Sequence, residues 1–273
     1  MKGNNMNNNL KTIVSICSLA LILGSTTIGA KEASSNPAVI TDTMKLINIA
    51  GKQRMLSQRI AKDYLYAGRK VATSKANKQL KQSILELTAS HKKLVAAIND
   101  EDIKNLLAFV EMGTEDFELT ANEPFSLDNA QLIIDLSESM LEGSQYVVDS
   151  LKETITVQES NIIEIAGRQR MLAQRIAKYY IAYQSGIKDK NTVEQMNTAV
   201  ALFSKTHKVL LANQTNTPEI NKNLNKVNRL WKIVYKFYLN IEKGGLPLIV
   251  FNSSDDITKK MNAVTHLYVE LYK

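Results

Sequence analysis

The chain has 273 residues, enough for one large domain or two small ones, and a formal net charge of +7. Its 11 Gly and 4 Pro are too few for an all-β sandwich or barrel, and 44% apolar content excludes a disordered chain. A single Cys excludes a disulfide framework, and three His (His91, His207 and His266) argue against a zinc enzyme.

The first thirty residues read as an address. Lys2 and Lys11 flank a polar start; the apolar run Thr12 to Gly24 follows, then small residues ending at Ala30. This is the order of a secretory signal peptide, residues 1–30. The run is short for a membrane span, which needs about 20 apolar residues; an uncleaved N-terminal anchor is the alternative. Cys17 lies inside the run behind Ile16, not behind the small residue of a lipidation site. Cleavage after Ala30 leaves no Cys and a charge of +5, since Lys2 and Lys11 are removed. The expected location is the periplasm, where a basic balance is poor ground for nucleic-acid binding.

The remainder divides into two units, residues 31–157 and 158–273. Helices are predicted over about 40–69, 74–98, 101–120 and 127–157 in the first, and over about 158–186, 190–213, 217–243 and 254–273 in the second. The cuts rest on Gly68, Asn99-Asp100, Pro124, Gly186, Pro218 and Gly244-Gly245-Leu246-Pro247. Only Gly143 and Gly167 interrupt the pattern between Leu127 and Ser185. The fourth helix is therefore expected to run on into the fifth. The predicted fold is all-α, two tandem antiparallel four-helix bundles related by pseudo-twofold symmetry.

A repeat supports the division. Residues 49–64 (IAGKQRMLSQRIAKDY) and 165–180 (IAGRQRMLAQRIAKYY) match at 13 of 16 positions, at an offset of 116. Ser90-His91-Lys92 and Thr206-His207-Lys208 fall in the same register, so the chain is a tandem duplication. On a helical wheel Leu46, Ile49, Leu56, Ile60 and Tyr64 share a core arc. A second arc carries Ile47, Gly51, Arg54, Met55, Gln58 and Ala61, too polar for core and too apolar for water. Gly costs up to about 1 kcal/mol in a helix interior, so Gly51 implies the close approach of another group. The second copy presents Ile163, Gly167, Arg170, Met171, Gln174 and Ala177. Paired, the two faces would aim Arg54 and Arg170 at one axis, where their repulsion invites a small anion. The candidate ligand-binding residues are therefore Gly51, Arg54, Met55, Gln58, Gly167, Arg170, Met171 and Gln174. Solvated or acid-paired arginines are the alternative.

The other repeated cations, Lys52/Arg168, Arg59/Arg175 and Lys62/Lys178, read as solvated or salt-bridging. His91 and His207 read as surface or satisfied core residues rather than metal ligands. Trp231 with Tyr235, Tyr238, Tyr268 and Tyr272 should pack the second bundle. No nucleophile with its base, phosphate loop or carboxylate pair stands out, so no enzyme and no cofactor are expected.

The stretch I-x-x-A-G-[KR]-Q-R-M-L-[SA]-Q-R-I-A-K resembles the N-terminal motif of PilJ-type sensory domains, and the P-box of NarX-type nitrate/nitrite sensors. The resemblance implies a periplasmic four-helix ligand-binding domain whose motif helices meet and hold one nitrate. It implies that Gly51 and Arg54, with Gly167 and Arg170, supply the contacts. Such domains usually occur singly, between membrane spans and before a signalling module; here there are two copies and no such module. The expected output is thus through a partner, a membrane sensor kinase or chemoreceptor. A helical adaptor that docks on such a receptor without an anion, and an organic-carboxylate binder, are the alternatives.

Overall fold

The computed structural model describes residues 36–155 and 159–272. The proposed signal peptide lies outside them, and the proposed boundary at 157/158 falls in the undescribed 156–158. Eight α-helices account for the described chain: α1 Pro37–Gly68, α2 Thr73–Ala97, α3 Glu101–Asn122, α4 Leu127–Glu153, α5 Glu159–Gln184, α6 Lys190–Ala212, α7 Pro218–Tyr238 and α8 Pro247–Leu271. The expected all-α class holds. Among the described residues no helix is long and apolar enough to cross a membrane.

Side-chain caps set several starts: Asp100 accepts from the N–H of Asp102, Ser126 from Asn129, Asp189 from Thr192 and Thr217 from Ile220. Two predicted boundaries move. α4 does not run on into α5; it ends at Glu153, where Thr154 N–H bonds back to the carbonyl of Leu151. The sequence there is Thr154-Ile155-Thr156-Val157, four β-branched residues that lose side-chain freedom in a helix. α8 begins at Pro247, seven residues before the expected start. A proline in the first helical turn removes an N–H that has no partner in any case, so this breaker opens a helix.

In the first repeat α1 lies against α2 and α4, and α3 packs on α4 and α2. In the second, α5 lies against α6 and α8, and α7 packs on α8 and α6. The repeats join chiefly along α1 and α5, with α1 also touching α8 and α4 touching α5. Leu56, Ile60 and Tyr64 of the predicted core arc are buried, while Leu46 and Ile49 are only partly so. The arc thought too polar for a core carries fully enclosed residues, because α1 is covered on three sides. Trp231 stacks on Phe203 at 4.0 Å and donates to Ser204 Oγ at 3.2 Å. Tyr238 and Tyr268 are buried beside this core, but Tyr235 stays exposed.

Gly68 closes α1 against the segment that leads into α4. A methyl group there would lie 2.0 Å from Cδ2 of Phe125, whose ring packs on Tyr64. Gly68→Ala should therefore destabilise the fold by about 1–3 kcal/mol, as overpacking does, read as a lower urea midpoint at unchanged slope.

Candidate functional site

The α1–α5 contact is antiparallel, as its pairings show: Arg54 meets Glu164, and Arg170 meets the backbone of Asn48. Both arginines are 1% exposed. The glycines explain how two guanidinium groups fit there. A methyl group on Gly51 would lie 3.1 Å from Arg54 Nη2 and 3.5 Å from Arg170 Nη2. One on Gly167 would lie 3.1 Å from Arg170 Nη2 and 3.9 Å from Arg54 Nη2. The two Nη2 atoms therefore converge on the same small space, roofed by backbone that carries no Cβ.

Their hydrogen bonds differ. Arg54 Nη1 donates to Glu164 Oε1 at 2.9 Å and to Gln145 Oε1. Arg168 holds the same Glu164 oxygen from Nε at 2.9 Å and Nη2 at 2.8 Å. Arg170 Nη1 donates to Asn262 Oδ1 at 2.8 Å, Nη2 to the carbonyl of Asn48 at 3.4 Å, and Nε to that of Gly167 at 3.4 Å. No carboxylate among the described residues pairs with Arg170. Burial, and then the Arg54 charge, push its guanidinium down to about 9. Burial also lowers Arg54, but there Glu164 opposes it.

Met55 and Met171 are buried in the same helices. Gln58 and Gln174 lie one turn further along and are tied to the last helix of their own repeat: Gln58 donates to Ser137 O at 2.8 Å, Gln174 to Thr258 Oγ1 at 2.7 Å and Ser254 O at 3.3 Å. His91 and His207 are buried; burial lowers His207 to about 4, and its ring stacks near Phe203.

A second charged layer was not foreseen. Lys62 and Lys178 are salt-bridged, but inside the protein, with 0% exposure, and each reaches the other repeat. Lys62 of α1 meets Asp255 of α8 at 2.6 Å; Lys178 of α5 meets Glu138 of α4 at 2.5 Å. Arg175 also bonds Glu138. Burial works against ionising Glu138, but Lys178 and Arg175 overcome it and hold the carboxyl at about 2. Lys178, more deeply enclosed, is lowered by burial to about 8. The last helices correspond at an offset of 117 (Ser137 to Ser254, Glu138 to Asp255), one more than the motif helices, and no repeated motif flags them.

Comparison with protein families matches residues 42–104 and 157–244 to PilJ, described as type IV pili methyl-accepting chemotaxis transducer N-term. No curated protein and no solved structure matches.

Asp63 sits beside Lys62 at 3.2 Å with no exposure. Burial pushes it up to about 7; Lys62 opposes the rise and Asp255 adds to it. Ionising Asp63 is thus harder in the folded chain than in the unfolded one, where its ordinary value is 3.8. Its contribution to stability should fall as pH rises from about 4 through 7. Asp63→Asn should remove that decline, so its melting temperature should gain on the wild type across this window. Asp255 and Glu138, both held at about 2, act oppositely and fail only as pH drops from about 4 towards 2. Glu138→Ala, which strands Lys178, should cost about 3–5 kcal/mol at neutral pH, measured by denaturant titration.

The two matched segments cover more than half of the chain, and they contain both copies of the motif on α1 and α5. The chain belongs to the PilJ family of type IV pili methyl-accepting chemotaxis transducer N-terminal domains.

Proposed function

We propose that this chain is a periplasmic sensory protein that holds one small planar anion, nitrate or nitrite first, where Arg54 and Arg170 converge, and reports its occupancy to a membrane chemoreceptor or sensor kinase. The carrying observation is Arg170: a buried guanidinium with no carboxylate paired to it among the described residues, beside a second guanidinium. An isolated charge away from water is costly, and an anion that accepts from its fork relieves the cost. Nitrate is weakly hydrated, so it gives up less on entering than sulfate or phosphate does. Gly51 and Gly167, having no Cβ, leave their backbone open to the approach of both Nη2 atoms. The family supplies the sensory setting, and the likeness of the motif to the P-box of NarX-type sensors supports the nitrate reading.

The test is a melting curve with nitrate, nitrite, chloride and sulfate. Nitrate or nitrite at a hundredfold excess over Kd should stabilise the wild type by about 2.7 kcal/mol, and Arg170→Ala should fold but show no shift. If neither nitrate nor nitrite moves the wild-type curve, the reading is wrong.

A further inference from the structure

The repeats are alike in sequence but not in charge around the arginines. In register with the motif, Glu164 of the second copy corresponds to Asn48 of the first, and Arg168 to Lys52. At the offset of the last helices, Gln145 corresponds to Asn262 and Asp149 to His266. Each arginine thus has the same amide partner, Gln145 for Arg54 and Asn262 for Arg170. Among the described residues only Arg54 of the two has a carboxylate.

Glu164 shows what that place accepts. One carboxylate oxygen lies between Arg54 and Arg168, 2.9 Å from the first and 2.8 Å from the second. The corresponding place in the other half lies between Arg170 and Lys52, beside Asn48. A cavity of about 320 Å³ opens there, and Asn48, Lys52, Lys93, Arg170 and His266 line it. Its one acid, Glu86, is held by Lys52 at 2.8 Å. The Asn48 amide oxygen is buried without a donor among the described residues. The opposite cavity, about 540 Å³, is lined by Glu138, Glu142 and Asp149 against Arg168 and Arg175. The first cavity is mainly cationic and reaches Arg170; the second carries three acids, and neither Arg54 nor Glu164 lines it.

We propose that the two halves of the arginine site do different work: Glu164 is the built-in occupant of the Arg54 half, and the Arg170 half takes an external planar oxyanion through the cavity at Asn48. This rests on the anion-binding reading above and narrows it, from the space between the two guanidinium groups to the Lys52 side of Arg170, with one stoichiometry and one chemistry. The head group is a planar oxyanion, a carboxylate or nitrate, because one oxygen of a glutamate carboxylate fills the corresponding place in the other copy. The cavity has room beyond three or four atoms, so a small organic carboxylate fits as well as nitrate.

Asn48→Glu tests this by installing the missing occupant; Asn262→Glu, which offers Arg170 a carboxylate from α8, is the second variant should the first not fold. The probes are nitrate and acetate, followed by calorimetry and by melting without ligand. The wild type should bind one equivalent of nitrate, acetate or both; whichever binds identifies an inorganic or an organic source. Asn48→Glu should melt several degrees higher without ligand and lose at least tenfold in affinity for the probe that binds. Glu164→Gln should bind a second equivalent. A wild type that takes two equivalents, or an Asn48→Glu chain that binds as the wild type does, overturns the proposal and leaves the anion reading standing. If neither probe binds the wild type, the anion reading fails for these ligands, and the ligand-free melting of Asn48→Glu still decides whether the Arg170 half lacks a carboxylate: no rise overturns it.

Discussion

Two like charges enclosed in one helix interface are the constraint around which the rest of this structure is arranged. Arg54 and Arg170 are almost wholly withdrawn from bulk water, and their terminal nitrogens crowd the same two glycines. In a medium of low dielectric their repulsion exceeds what water would allow. The protein meets it unequally. Arg54 is given Glu164 from the facing helix, while among the described residues Arg170 is given only amide and carbonyl oxygens. An interface built for stability alone would fill this space with apolar side chains, since buried ion pairs seldom outdo them.

The lysine layer shows the other way of burying charge. Lys62 and Lys178 each cross to an acid on the last helix of the other repeat. Such pairs add little net stability but strongly penalise any misalignment, because a shift of one turn would pull both lysines away from the acids they reach in the other repeat. They hold α1 and α5 in the register that brings the arginines together. Site and scaffold are thus coupled through one pair of helices.

Much of this was legible in the repeat. Matching residues at a fixed offset implied two similar helical units, and a glycine inside a helix implied a close neighbour, which proved to be the guanidinium groups themselves. Other features were hidden for physical reasons. The lysine partners Glu138 and Asp255 lie on helices whose register differs by one residue from that of the motif, so no alignment of the motif reaches them. Pro247 read as a breaker because prolines end helices from within and begin them from outside, and local sequence does not say which. Position 48/164 is one of the variable places within I-x-x-A-G, so its Asn and Glu carried no signal until the facing arginines were placed beside them.

The tandem arrangement itself has an evolutionary corollary. An assembly of two identical subunits must carry the same amino acid on both sides of its axis, and any substitution arrives there twice. When both halves are encoded in one polypeptide, that obligation lapses. Asn48 and Glu164 could drift apart, each free to specialise, whereas a symmetric pair would have had to accept two glutamates or none.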